Sequence, residues 1–256
     1  MIFVFFFILG SIWGSFSNVC IFRLPKDKSV VLSRSCCPKC KKIIKWYDNI
    51  PLISFLFLKR KCRNCNYKIS FQYFIVELLT AINFCLIYYI YGLSITTLLL
   101  IILSIFFIIV FFIDLKHFII PNELTFPLMF IGFIKSFFPN LDIEIFPNFI
   151  NSLVGGVLGY IVIWSIIFLY KKIKNKEGMG LGDAKLLSAI GFWFGWVSVP
   201  VIIFFSSLIA LIYVSPTLIN KSKNLSSQIP FGPYLIVGTI VYIIFGNQIK
   251  LLLFNY

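Results

Sequence analysis

The sequence predicts an all-α polytopic membrane protein of about eight transmembrane helices, with one small polar segment between the first helix and the second. Three observations carry this. Of the 256 residues, 60% are hydrophobic and only 12% charged. Mean hydropathy is +0.97, more apolar surface than a soluble domain of this length can bury, so lipid is the solvent for most of the chain. The apolar residues also fall into runs near the roughly 20 residues a helix needs to cross a bilayer, without the apolar–polar alternation of a transmembrane barrel.

The runs lie at about 1–22, 72–91, 94–113, 123–138, 149–170, 183–198, 200–219 and 233–254, the fourth and sixth being short. The opening MIFVFFFILGSIWGSF lacks a basic n-region and a small-residue cleavage site, which predicts a retained first span. Residues 23–71 form the polar segment, and 72–256 a seven-helix core. Cys20 and Cys85 fall inside spans, where a free thiol serves as a small buried hydrophobe.

Charge orients the bundle. With the N-terminus outside, all but Lys135 and Lys250 of the 23 Lys and Arg residues face the cytoplasm, thirteen of them in 23–71, while the outer loop PNLDIEIFPN is acidic. Positive residues collect on the side from which helices insert. Basic clusters at that surface mark topology and contact lipid headgroups, so membrane lipids are expected partners and nucleic acid is not.

The polar segment holds two Cys-x-x-Cys pairs, CPKC at Cys37 and Cys40 and CRNC at Cys62 and Cys65. Four thiolates suit a closed tetrahedral zinc site, and their spacing is close to that of zinc ribbons. A reducing cytosol argues against disulfides, and so few polar residues need a staple to fold. Redox dithiols and unpaired thiols are the lesser readings, and Cys36 is a neighbouring competitor for the metal.

Nine acidic residues allow a reading of each. Asp27 and Asp48 belong to the polar segment, Asp142 and Glu144 to the outer loop, and Glu177 to a charged loop. Glu77 enters the second span as an interfacial or packing residue, and Glu123 suits a helix N-terminus. Asp114 ends the third span in IIVFFIDLKHFIIPN. Asp183 begins the sixth, after Gly178, Gly180 and Gly182 in KEGMGLGDAKLL. These two acids are expected together at the cytoplasmic end of the bundle, where ionisable groups are costly and mark function. Paired carboxylates can hydrolyse an amide, one taking a proton from water while the other, protonated, polarises the carbonyl. Gly180 and Gly182 would let a substrate backbone lie close to the acid. A helix cap is the plainer reading of one such aspartate. A phosphate loop is disfavoured because no Gly-Lys-Ser/Thr follows. His117, the only histidine, is expected to hydrogen-bond at the interface, with a ligand or a proton shuttle as the lesser readings. Taken alone, the residues leave the hydrolase and the cap both open.

The stretches GMGLGDAKLL and DLKHFIIPN resemble the two aspartate motifs of type IV prepilin peptidases, bacterial leader peptidase/N-methyltransferases of the Gly-x-Gly-Asp class. GSFSNVCIFRLP, the cysteine segment through VELLTA, and PFGPYL resemble further motifs of that family in the same order. The resemblance implies an inner-membrane enzyme that removes the basic leader of type IV prepilins, or of pseudopilins in type II secretion and competence. Cleavage would occur at the cytoplasmic face, after a glycine, followed by methylation of the new N-terminus with S-adenosylmethionine. It places catalysis on Asp114 and Asp183 and zinc on Cys37, Cys40, Cys62 and Cys65, and leaves the methyl-donor site unassigned. GSFSN is read either as a helix-packing device or as part of a binding site, PFGP as a turn, and FQYF departs from the family pattern. Other Gly-x-Gly-Asp intramembrane proteases and a proton-coupled transporter are the competing readings. The cysteine segment disfavours the first, and the absence of a visible repeat disfavours the second.

Overall fold

The computed structural model describes residues 1–31, 35–138, 145–175, 179–219 and 229–254. Arg34, Asp142, Glu144, Lys176, Glu177, Gly178, Lys221 and Lys223 lie outside them. The helices are α1 (Ile2–Arg23), α2 (Ile53–Phe57), α3 (Gln72–Tyr91), α4 (Ile95–His117), α5 (Asn122–Lys135), α6 (Phe149–Lys174), α7 (Leu181–Phe194), α8 (Ser198–Ile219) and α9 (Gly232–Phe254). Six of them, α1, α3, α4, α6, α8 and α9, are long and apolar enough to cross a membrane.

The fourth and sixth expected spans are α5 and α7, each of 14 residues. At about 1.5 Å per residue they reach roughly 21 Å, short of the ~30 Å hydrocarbon core. Burial explains the brevity of α7, since ten of its 14 residues are buried. A helix jacketed by protein is not held to the thickness of the surrounding lipid. Its ends are set by Gly180 and by Gly195, whose φ of 81° stops the helix.

The chain forms two compact units, Met1–Ile109 and Val110–Tyr256, dividing within α4. In the first, α1 packs on α3 so closely that a Cβ at Gly14 would stand 2.6 Å from the Glu77 Cα. Asn18 donates to the Tyr73 carbonyl at 3.0 Å. GSFSN is thus a helix-packing device, as one of its two readings held. Glu77 is also more than filler, because its Oε2 accepts from the Leu52 amide at 2.8 Å. Leu52 has a left-handed φ of 61°, and this bond ties the polar segment to α3. Phe55, Phe71 and Phe74 stack beside it. Cys20 is buried, and Cys85 donates to the Phe3 carbonyl.

In the second unit, α6 and α7 meet through small residues. A Cβ at Gly155 would lie 2.5 Å from the Gly191 carbonyl oxygen, and Ser188 Oγ donates to the Gly156 carbonyl at 2.8 Å. Such close approach gains dispersion contacts where lipid offers no hydrophobic drive. On the other side of α7, the Trp193 indole N–H donates to the Leu128 carbonyl of α5 at 2.9 Å. Lys135 is buried rather than displayed at a surface. Its ammonium sits 4.6 Å from the Phe146 ring centroid and 5.9 Å from that of Trp193, an arrangement that compensates part of its desolvation. Asn148 caps α6, its side chain accepting from the Asn151 amide at 3.0 Å.

Candidate active site

Asp114 lies in the last turn of α4 and Asp183 in the first turn of α7, only 4% and 8% exposed. Each follows from its local sequence. Asp114 closes an unbroken apolar run, after which Phe118, at a φ of 56°, turns the chain out of the helix. Phe118 donates its amide back to the Asp114 carbonyl at 3.0 Å. Asp183 donates its amide to the Gly180 carbonyl at 3.2 Å, completing the first turn of α7. Ile120 links the two places, its Cβ 3.0 Å from where a Gly182 Cβ would stand and its Cδ1 3.1 Å from where a Gly232 Cβ would stand.

A third element completes the site. The Gly232 amide, first in α9, donates to Asp114 Oδ2 at 2.9 Å. A Cβ on Gly232 would stand 2.7 Å from that oxygen and 3.1 Å from Ile120 Cδ1. PFGPYL is therefore more than a turn. It brings the positive end of α9, free of a side chain, against one acid. Among the described residues, Oδ1 of Asp114 has no hydrogen-bond partner and is left for another.

The glycines before Asp183 differ from each other. A Cβ on Gly182 would come within 3.0 Å of Ile120 Cβ, whereas one on Gly180 would meet nothing closer than 3.8 Å. The room at Gly182 is thus filled by the chain's own Ile120, not left open beside the acid as the sequence reading expected. Lys185 Nζ donates to Asn122 Oδ1 at 2.7 Å, pinning the start of α7 to the start of α5. Glu123 sits in the first turn of α5 as expected, and His117 is exposed at the end of α4.

Sequence reasoning missed Gly232, Ile120 and the Lys185–Asn122 bond. The PFGP and IPN motifs were the available signal.

In the first unit, the four cysteines converge. The sulfur atoms of Cys37, Cys40, Cys62 and Cys65 all lie within 4.8 Å of one another. Cys37 Sγ is 3.7 Å from Cys65 Sγ. A tetrahedron with Zn–S bonds of about 2.3 Å has edges of about 3.8 Å, so the donor set fits.

Two matching knuckles build the cluster. The Cys37 amide donates to the Lys42 carbonyl and the Lys41 amide to that of Cys37, each at 3.0 Å. In the second knuckle, Cys62 donates to the Tyr67 carbonyl and Asn66 to that of Cys62, at 2.9 and 3.0 Å. Lys41 and Asn66 both take left-handed φ, 60° and 53°. Cys36 is exposed and pairs in an antiparallel bridge with Ile43, so the metal register falls on Cys37.

Arg63 of the second knuckle grips Asp48 through Nη2 and Nε, at 2.6 and 2.9 Å. That hydrogen-bonded guanidinium holds the Asp48 carboxyl below the usual carboxylate range.

Comparison with known proteins bears on both halves. Residues 8–91 match the family model for the bacterial peptidase A24 N-terminal domain, and 101–215 that of the type IV leader peptidase family. The chain is 33% identical over 272 residues to a prepilin leader peptidase/N-methyltransferase of Aeromonas salmonicida, covering 95% of this chain and 90% of the relative. It is 36% identical over 264 residues to one from Xanthomonas campestris pv. campestris, covering 94% and 90%. Identity to the protein of that name in Neisseria gonorrhoeae is 37% over 260 residues, covering 92% and 88%. No solved structure matches.

Proposed function

The chain belongs to the type IV leader peptidase family, and from that premise we propose that it removes the leader peptide of type IV prepilins or pseudopilins by aspartyl catalysis. The observation that supports this best is the burial of both carboxyl groups, Asp114 bonded to the Gly232 amide at the α9 N-terminus and Asp183 following Gly182, with Ile120 lying against both glycines. Asp114 and Asp183 share the work. One takes a proton from the attacking water, and the other donates to the scissile carbonyl and later to the leaving amine. With Oδ2 of Asp114 engaged by the Gly232 amide, Oδ1 is the atom left to take the proton from the attacking water. Methylation of the new N-terminus by S-adenosylmethionine is the second activity.

The chain is a multi-pass protein of the bacterial inner membrane, with its N-terminus outside and its active site at the cytoplasmic face. The distribution of Lys and Arg supports that orientation. It requires α5 and α7 to complete their crossings as short helices, α7 inside the bundle. Anionic lipid at the same face would hold a basic leader near the site.

Zinc held by Cys37, Cys40, Cys62 and Cys65 would supply a structural tie between the two knuckles. Purified protein should contain about one zinc per chain, from the four-ligand count. Cys37→Ser should lose that metal and expose the remaining thiols to alkylation. Metal-free protein with all four thiols freely alkylated would contradict the assignment.

The function is tested by incubating membranes carrying the protein with a prepilin and S-adenosylmethionine, then reading the product's mass and N-terminus. Loss of the leader and gain of one methyl group are expected. An unchanged precursor, with proton flux in liposomes carrying the protein, would favour a transporter.

A further inference from the structure

The short helix α2 is fixed on one side and bare on the other. The Phe55 ring packs on those of Phe71 and Phe74, centroids 6.0 and 5.3 Å away, at the start of α3. Ser54 Oγ donates to the Tyr47 carbonyl at 3.1 Å, tying α2 to the turn Trp46–Asn49. With 3.6 residues per helical turn, Ile53 and Phe57, each two places from Phe55, lie on the opposite face, and Leu56 lies to its side. Phe57 is 84% exposed, Leu56 64% and Ile53 51%. Trp46, on the neighbouring turn, is 79% exposed. Apolar exposure of this kind on a small polar segment marks an interaction surface.

The height of this face and its charge identify what covers it. Phe71 precedes α3 and Phe74 lies in its first turn, so α2 rests against the head of a helix long and apolar enough to cross the membrane. Lys59, Arg60 and Lys61 follow α2 directly, and all three are exposed. The Arg60 guanidinium lies 5.5 Å from the Phe71 ring centroid, beside the same helix head. Residues 23–71 hold thirteen Lys and Arg against only Asp27 and Asp48, and Arg63 engages Asp48. Such a surface repels a basic leader and attracts anionic headgroups. Apolar side chains rimmed by Lys and Arg are also the pattern of segments that lie in the plane of the membrane interface.

We propose that the face of α2 formed by Ile53, Leu56 and Phe57, with the Lys59–Lys61 run beside it, docks on the anionic lipid surface of the cytoplasmic leaflet. The apolar side chains enter the boundary between headgroups and acyl chains, and the three cations meet lipid phosphates. This rests on the orientation proposed above and names the surface of the zinc segment that meets lipid. It also gives the segment a second attachment to the bilayer, besides the two helices that it joins.

The test uses the intact protein in nanodiscs of phosphatidylcholine, with or without phosphatidylglycerol. Trypsin cleavage after Lys59, Arg60 and Lys61, read from fragment masses, should slow at least about tenfold in the anionic discs, since each basic residue near such a surface contributes about fivefold. Salt at about 1 M should reverse most of that protection. This arm needs no substitution, so it stands whether or not a variant folds. Phe57→p-benzoylphenylalanine and Leu56→p-benzoylphenylalanine should each form phospholipid adducts on irradiation, undiminished by added prepilin. Equal cleavage in both kinds of disc, absence of lipid adducts from both positions, or adducts that pass to prepilin when it is added would overturn the lipid surface. Labelling of Cys36 by an impermeant maleimide in intact spheroplasts would instead overturn the orientation, so the two failures are distinguishable.

Discussion

Asp114→Asn and Asp183→Asn are each expected to abolish leader cleavage, by at least about 10³-fold, within the range of general acid–base contributions. Asparagine keeps the size of aspartate and can still accept a hydrogen bond, so Asp114→Asn retains a partner for the Gly232 amide. It can neither take a proton from water nor pass one to the leaving amine. Loss should therefore fall on turnover while the protein stays inserted, folded and metal-bound. Two measurements separate chemistry from folding: the single-turnover cleavage rate in membranes and resistance to limited proteolysis. Cleavage above about a hundredth of the parent rate by either variant would show that its carboxyl group is dispensable.

Gly232→Ala is expected to lose about 10²-fold in cleavage with little change in stability. Its Cβ would stand 2.7 Å from Asp114 Oδ2, far inside ordinary contact, so either the acid or the first turn of α9 must move. Displacement of a catalytic group by about 1 Å commonly costs two orders of magnitude. Alanine, meanwhile, is the better helix former, so α9 itself should not suffer. The expected signature is a fall in kcat with thermal stability within about 1 kcal/mol of the parent. Unchanged cleavage would mean that the contact between α9 and Asp114 has no part in catalysis.

How much of this was legible beforehand follows from what each feature depends on. Spans depend on composition, and the long helices α1, α3, α4, α6, α8 and α9 appear where the apolar runs lie. The metal ligands depend on spacing, and the four cysteines meet as their pairing suggested. The expectation that Asp114 and Asp183 act together depends on which ends of two spans share a side of the membrane, which charge alone could indicate.

Other features depend on contacts that no local pattern encodes. The Gly232 amide reaches Asp114 across 118 residues, and a proline-flanked glycine reads as a turn until its neighbour is known. Gly182 looked like open space because Ile120, which fills it, belongs to another loop. The two knuckles share little beyond their cysteines, so their equivalence shows in backbone bonds and not in letters. The brevity of α7 reflects its jacket of neighbours, whereas a hydropathy window counts only the helix itself.

The joint action of the two aspartates on water is tested most directly by one turnover of prepilin cleavage in H2(18)O. Direct attack by water predicts one heavy oxygen in the new carboxylate of the released leader and none in the peptides containing Asp114 or Asp183. Heavy oxygen in either aspartate after that single turnover would show a covalent acyl-enzyme and contradict the paired-carboxylate mechanism.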